Sequence, residues 1–349
     1  PASPDTPLAI PPDAVQGVYL AYHALVNRAD YDRIVRLLET TSLNARVIDF
    51  KNNWGYLTYP VQTAPAAGAG ANRFVVHALP RRLAELKSAR IYTVARIVAF
   101  KDNLLARTHP HLAAHTSGGG QLWRDERDAA WVNPQHPETW AYILQVALEA
   151  ARLGFDEIQF DCLRFPRPGP GGQPQFLPPR PLSPQTRARA IAGFLSAARG
   201  QLAPFGVKLT ATAAGRVCWR RDDSLLGQRL EQMAPYLDAI CPHLHPAAFT
   251  GNAPGPRNIA SRPYSAIFQA TRRAVGRLKA LRSPCRVRPW IQDFEGNGTA
   301  RRTFGPAEVR AQIRAVFEGG GAGYMAWDPK LAYTAAAYRR PDSSRSQAG

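Results

Sequence analysis

A chain of 349 residues with 45% hydrophobic content can build a large core, in two domains or in one (β/α)8 barrel of about 250 residues. No apolar run approaches the roughly 18 residues of a membrane-spanning helix, which excludes that architecture. The net charge of +18, with a pI near 10.3, admits an anionic partner.

The arginines, however, are spread along predicted helices (Arg33, Arg36, Arg152, Arg187, Arg189, Arg272, Arg273, Arg277) rather than gathered into a basic arm. No zinc-finger spacing or aromatic RNA-binding signature accompanies them, so nucleic acid is not the expected partner. The expectation is a solvated basic surface, with an acidic glycan or cell-wall polymer as the next reading.

Residues 1–14 open in a Pro-rich tether without a hydrophobic signal core, which suggests a mature secreted or cell-envelope chain without excluding the cytoplasm. The first strand is read at Gly17–His23, followed by a helix from Asp30, taken as its N-cap, to Thr41. Ala45–Lys51 is the second strand, with Asp49 and Lys51 on one side at its end. A helix at Leu79–Ser88 leads into the strand Ile91–Phe100, where Arg96 interrupts an apolar run and needs an acidic partner or a rim position. Residues 101–135 form a long insertion. The helix Pro137–Arg152 then stops at Gly154.

The stretch Asp156–Pro166 is the centre of the chain. In a strand, Glu157, Gln159 and Asp161 face one way while Ile158, Phe160 and Cys162 face the other. An inward polar row is tolerated only where its members pair with one another. Phe165-Pro166 ends the strand and leaves Asp161 at its exit. A proline- and glycine-rich loop follows from Arg167 to Pro181. Ser183-Pro184 starts a helix to Leu202, and Val207–Ala213 is the next strand. Thereafter come a helix at Ser224–Tyr236, a strand at Leu237–Pro242 and a helix at Tyr264–Leu281. The strand Arg286–Phe294, the helix Pro306–Glu318 and the strand Gly323–Pro329 complete the series. The tail 339–349 is expected to be disordered.

Eight strands alternating with helices over residues 15–338 are either a single (β/α)8 barrel or a doubly wound sheet. No glycine-rich phosphate turn follows the first strand, and polar residues recur at strand C-termini, where barrels carry their active sites. An α/β (β/α)8 TIM barrel with long βα loops is therefore predicted. The cysteines at 162, 218, 241 and 285 form no CxxC pair and are expected as free thiols, so neither a zinc site nor any other cofactor is implied.

Several strand ends carry a family resemblance: Val47–Lys51, Ala95–Asp102, Gly154–Pro166, Arg288–Phe294 and Gly323–Asp328. Together they resemble a bacterial family of glycoside hydrolases within the α-amylase-like barrel superfamily, over about residues 15 to 335. The chain departs from that pattern in carrying Cys162 in place of Tyr, Asn52 in place of an acid and Thr212 in place of Asp. His245 likewise stands in place of Tyr, and Asp328 in place of Asn. The resemblance implies hydrolysis of a carbohydrate, and Thr212 empties the fifth-strand rim of the carboxylate that many such barrels use as acid/base.

Glycosidic cleavage normally uses two carboxyl groups, one giving a proton to the leaving oxygen and one attacking the sugar or activating water. Asp161 is expected in the second role, kept ionised by Arg164 or Arg96; a structural Asp–Arg pair is the alternative. Asp293 is the expected proton donor, its pKa raised by neighbours such as Trp290, with Glu295 and Asp328 in reserve. Asp49 and Lys51 either bind sugar hydroxyls or form an internal ion pair. His243, His245, Gln292 and Trp327 are expected to bind sugar; a metal at the two histidines lacks a third ligand. The indoles of Trp54, Trp123, Trp131, Trp219, Trp290 and Trp327 are expected to wall the cleft. A non-catalytic polysaccharide-binding barrel and a polyanion binder are the rival functions; stereochemistry is open.

Overall fold

A computed structural model of the chain describes residues 11–118, 120–169, 172–177, 182–246, 263–295 and 304–339. Most of the expected tether and tail lies outside them. The strands are β1 (Val15–Leu20), β2 (Ala45–Lys51), β3 (Tyr92–Val98), β4 (Ala114–His115), β5 (Glu157–Asp161), β6 (Gln175–Phe176), β7 (Lys208–Ala214), β8 (Ala239–His243), β9 (Arg286–Val287), β10 (Trp290–Gln292) and β11 (Gly323–Trp327). Parallel pairing runs β11-β1-β2-β3-β5-β7-β8, and β9 and β10 together fill the seventh place. Trp290 pairs with both Met325 and His243, which closes the ring as a (β/α)8 barrel. β4 and β6 form a separate antiparallel ribbon that ties the loop after β3 to the loop after β5.

The predicted seventh strand is broken because Pro289 has no N–H for the ladder. Arg288 N still reaches Ile240 O at 3.0 Å, and the ladder resumes at Trp290. Helices Leu79–Ser88, Pro137–Arg152, Pro184–Leu202 and Pro306–Glu318 have the predicted bounds. The second helix is Arg28–Glu39: Asn27, not Asp30, caps it, accepting from Asp30 N at 3.3 Å. The predicted helix at Ser224–Tyr236 shrinks to Leu230–Met233 with a 3-10 turn at Ala234–Tyr236. Asp222 and Asp223 side chains accept from Ser224 N and Leu225 N, and Ser224 and Leu225 take φ of 53° and 62°. Carboxylates competing for backbone donors favour that turn over a helix.

Strand alternation builds two cores. Outward residues such as Ile48, Phe50, Ile97, Ile158, Phe160, Leu209 and Ile240 pack beneath the helices. Inward, Val47, Val94, Ala239, Cys241, Trp290 and Met325 fill the barrel. Gly17 leaves room for them: a Cβ there would lie 2.4 Å from Met325 Sδ. The inward polar row is paired, as burial requires. Glu157 meets Arg288, Tyr92 OH at 3.1 Å and Thr210 Oγ1 at 2.5 Å. Gln159 accepts from Trp290 Nε1 at 3.0 Å and donates to Thr210 Oγ1 at 3.3 Å. No helix among the described residues is long and apolar enough to cross a membrane.

Candidate active site

Above those layers, residues from successive strand ends touch one another around the barrel mouth. Tyr19 on β1 donates its hydroxyl to Asp49 on β2 at 2.5 Å. Arg96 on β3 bridges Asp49 and Asp161, with its Nη1 2.5 Å from Asp49 Oδ1 and its Nη2 2.5 Å from Asp161 Oδ2. Thr212 on β7 donates to Asp161 Oδ1 at 2.6 Å, and so does Cys162 N. His243 on β8 places Nε2 3.6 Å from the same oxygen. The ring continues through Trp290, 6.1 Å from the His243 ring, and returns to Tyr19 at 6.5 Å.

Burial alone would push the Asp161 carboxyl up, but the Arg96 charge, with His243 and Thr212, holds it well below the usual carboxylate range. Arg96 is likewise held protonated against its burial by Asp161 and Asp49. His245 sits behind His243, stacked on Trp327 at 5.2 Å and against Phe294. Burial, then the neighbouring His243, keeps its imidazole neutral. Its Nε2 has no hydrogen-bond partner among the described residues.

Several residues predicted for the site are engaged by other partners. Asp293 is buried and accepts from Thr334 N at 2.8 Å, Thr334 Oγ1 at 2.6 Å and Tyr338 OH at 2.7 Å. Its carboxylate therefore anchors the C-terminal segment, and burial raises its pKa in spite of those bonds. A carboxyl raised in this way favours the fold below its ordinary pKa and loses that contribution as pH rises through the folded value. Asp293→Asn is accordingly expected to cost about 1–3 kcal/mol at acidic pH, less at neutral pH, and to leave any turnover within about twofold. Thermal melts at two pH values, with an activity assay, check this.

Lys51 diverges from Asp49 because the register shifts between them. Its Nζ is buried against Asp102 at 2.8 Å and Val98 O at 2.7 Å, an internal ion pair separate from the Asp49–Arg96–Asp161 cluster. Arg164 does not hold Asp161; its guanidinium lies 4.5 Å over the Trp131 ring. Gln292 is buried and donates to Phe294 O, and Asp328 caps the backbone at Lys330 and Ala332. Trp123, Trp131 and Trp290 are buried, so the indole wall reduces to exposed Trp54 with partly exposed Trp219 and Trp327. Glu295 is exposed. Among the described residues no group of three His, Cys, Asp or Glu side chains is placed to hold a metal, and all four cysteines are free thiols.

Sequence reasoning did not assign roles to Tyr19 or Asn53, although the latter's side chain accepts from Arg96 at 3.1 Å. Tyr19 was legible in principle: it alternates with inward Gly17 on β1 and lies at that strand's C-terminal end.

A closed eight-stranded parallel barrel with ionised and aromatic groups at the C-terminal mouth is an architecture that glycoside hydrolases use. Residues 17–333 match the family described as "Putative glycosyl hydrolase domain", and the chain belongs to that family. No curated protein matches. The glycoside hydrolase domain of PgaB (BpsB) from Bordetella bronchiseptica is similar in structure, with a TM-score of 0.65 at 13% identity over 94% of this chain and 99% of that one. The glycoside hydrolase domain of PelA from Pseudomonas aeruginosa superposes with a TM-score of 0.51 at 15% identity over 93% and 97%. A hypothetical protein from Ruminiclostridium thermocellum is 31% identical over 56% of this chain and 96% of its own, with a TM-score of 0.47.

Proposed function

We propose that the chain cleaves O-glycosidic bonds of an oligo- or polysaccharide at this mouth. Asp161 attacks the anomeric carbon or activates water, and Glu295 gives the proton to the leaving oxygen. The observation that carries this reading is a strand-end carboxylate kept anionic by a buried arginine beside half-exposed His243. Kinship with the α-amylase-like barrels belongs to the same proposal and rests on the strand-end motifs.

Glu295 takes the donor role because, of the acids in the loops after the barrel strands, it and Glu126 alone have no ion pair or hydrogen-bond partner among the described residues, and Glu295 lies only three residues past the end of β10. Lys101 holds Asp125, Arg220 holds Asp222, Arg187 holds Asp223, and Asp293 and Asp328 bind backbone and hydroxyl donors. Segments 170–171, 178–181, 247–262 and 296–303 contain no Asp or Glu. Glu295 has no ion pair or hydrogen-bond partner among the described residues, and it follows Phe294, which packs against Trp327.

A panel of neutral and acidic glycans, with reducing ends measured, tests the activity. Glu295→Gln is expected to slow cleavage of natural glycosides by about 10²–10⁴-fold and to spare aryl glycosides whose leaving group needs no proton. Equal slowing of both substrate types would remove Glu295 from the role. A second reading, a non-catalytic glycan-binding barrel, is favoured by the occupancy of both Asp161 oxygens by four donors. Binding without any release of sugar would establish it.

A further inference from the structure

We infer that the rim beside Asp161 holds a subsite for the anionic group of an acidic sugar, formed by Arg164 and Arg216 with Arg167 beside them. The inference deepens the proposed function and rests on the mouth being a sugar site. It concerns recognition, so it can fail or stand separately from catalysis.

The placement comes from the backbone. β5 and β7 are neighbours in the barrel, and the Gln228 side chain clamps their exits together. Its Nε2 donates to Leu163 O at 3.1 Å and to Thr212 O at 3.3 Å, while its Oε1 accepts from Ala214 N at 2.9 Å. Arg164 comes directly after the clamped Leu163, and Arg216 two residues after the clamped Ala214. The chain turns sharply between Asp161 and Arg164: Cys162 takes a φ of 47°, and Arg164 N reaches Cys162 O at 2.9 Å. The Trp131 ring then fixes the Arg164 guanidinium on one face, and Phe165 O takes one Nη1 proton at 3.2 Å.

The charges are compensated only in part, by Asp222 acting on Arg216. Among the described residues no carboxylate pairs with Arg164, Arg167 or Arg216, because Asp222 belongs to Arg220 and Asp223 to Arg187. Burial, then the charges of Arg167, Arg220 and Arg164, outweighs the opposing charge of Asp222 and makes Arg216 easier to deprotonate than a free arginine. A fold that clamps like charges together in this way spends stability that an incoming anion would return. Arginine forks pair with planar carboxylates and equally with sulfates, at two points each. A uronate and a sulfated sugar share that chemistry.

Calorimetry on the full chain tests the subsite, using the Asp161→Asn protein so that no probe is consumed. The probes are an oligogalacturonate, its neutral methyl ester, a sulfated oligosaccharide and a short DNA duplex. At least one acidic sugar is expected to bind tenfold or more tighter than the methyl ester, and the uronate and sulfate arms identify which anion is preferred. Arg164→Gln with Arg216→Gln is expected to bring that ratio close to one. Arg36→Gln with Arg273→Gln, exposed on outer helices, makes the same charge change and is expected to leave the ratio intact.

Equal losses in the two double variants would assign the effect to bulk charge and overturn the subsite. So would a methyl ester that binds as well as both acids, or DNA that outcompetes both sugars and is lost with Arg164 and Arg216. If circular dichroism shows the first double variant unfolded, Arg167→Gln with Arg216→Lys replaces it. A ratio unchanged in that protein overturns the proposal, and a fall of threefold or more supports it. Cleavage of neutral glycans without acidic preference would leave the hydrolase reading standing and this one not; tight acidic binding without any cleavage would do the reverse.

Discussion

Asp161→Asn is expected to reduce release of reducing ends by about 10³–10⁴-fold, on the scale seen when one charged member of a catalytic set is removed. The amide keeps an acceptor for Thr212 and Cys162 N but loses the negative charge that attacks a sugar or draws a proton from water. Arg96 stays anchored by Asp49, so the fold is expected to survive. The stability comparison has a sign. A carboxylate whose folded pKa is depressed contributes stability above its ordinary value near pH 4 and loses it as pH falls through the depressed one. Thermal melts should therefore show the wild-type chain ahead of the variant at neutral pH, with the gap narrowing in acid. Undiminished turnover in Asp161→Asn would remove the proposed mechanism.

The largest expected effect on stability lies deeper. Arg288→Met leaves Glu157 buried inside the barrel without its ion-pair partner, which is expected to cost about 3–5 kcal/mol. Tyr92 and Thr210 continue to donate to the carboxylate but carry no compensating charge. Adding Glu157→Leu should recover most of that loss, because it removes the stranded charge instead of restoring a partner. Chemical denaturation of the two single variants and the double variant measures the coupling. Additive losses would show that the pair does not act as a unit.

The fold was legible because barrel strands repeat a simple signal. Alternation in Glu157–Asp161 separated an inward polar row from an outward apolar one, and prolines at 137, 184 and 306 marked helix starts. The need of Arg96 for acidic partners was also visible, since a guanidinium inside an apolar strand cannot stay unpaired. What failed depended on features that sequence spacing does not contain. A one-residue register shift on β2 turned Lys51 away from Asp49. The segment around Thr334–Tyr338, distant in sequence, covered Asp293. Trp123 and Trp131 lie beside strand-end loops as expected, but the loops fold over them. Side-chain competition at Asp222 and Asp223 unwound a stretch whose apolar spacing looked helical.

The charged and indole layers stacked beneath Asp161 also decide how a long polymer can approach. Glu157, Arg288, Gln159 and Trp290 stopper the cylinder, so no sugar chain can thread through it. On the proposed function, a glycan therefore lies across the opening like a rope over a cup, held by residues above the brim.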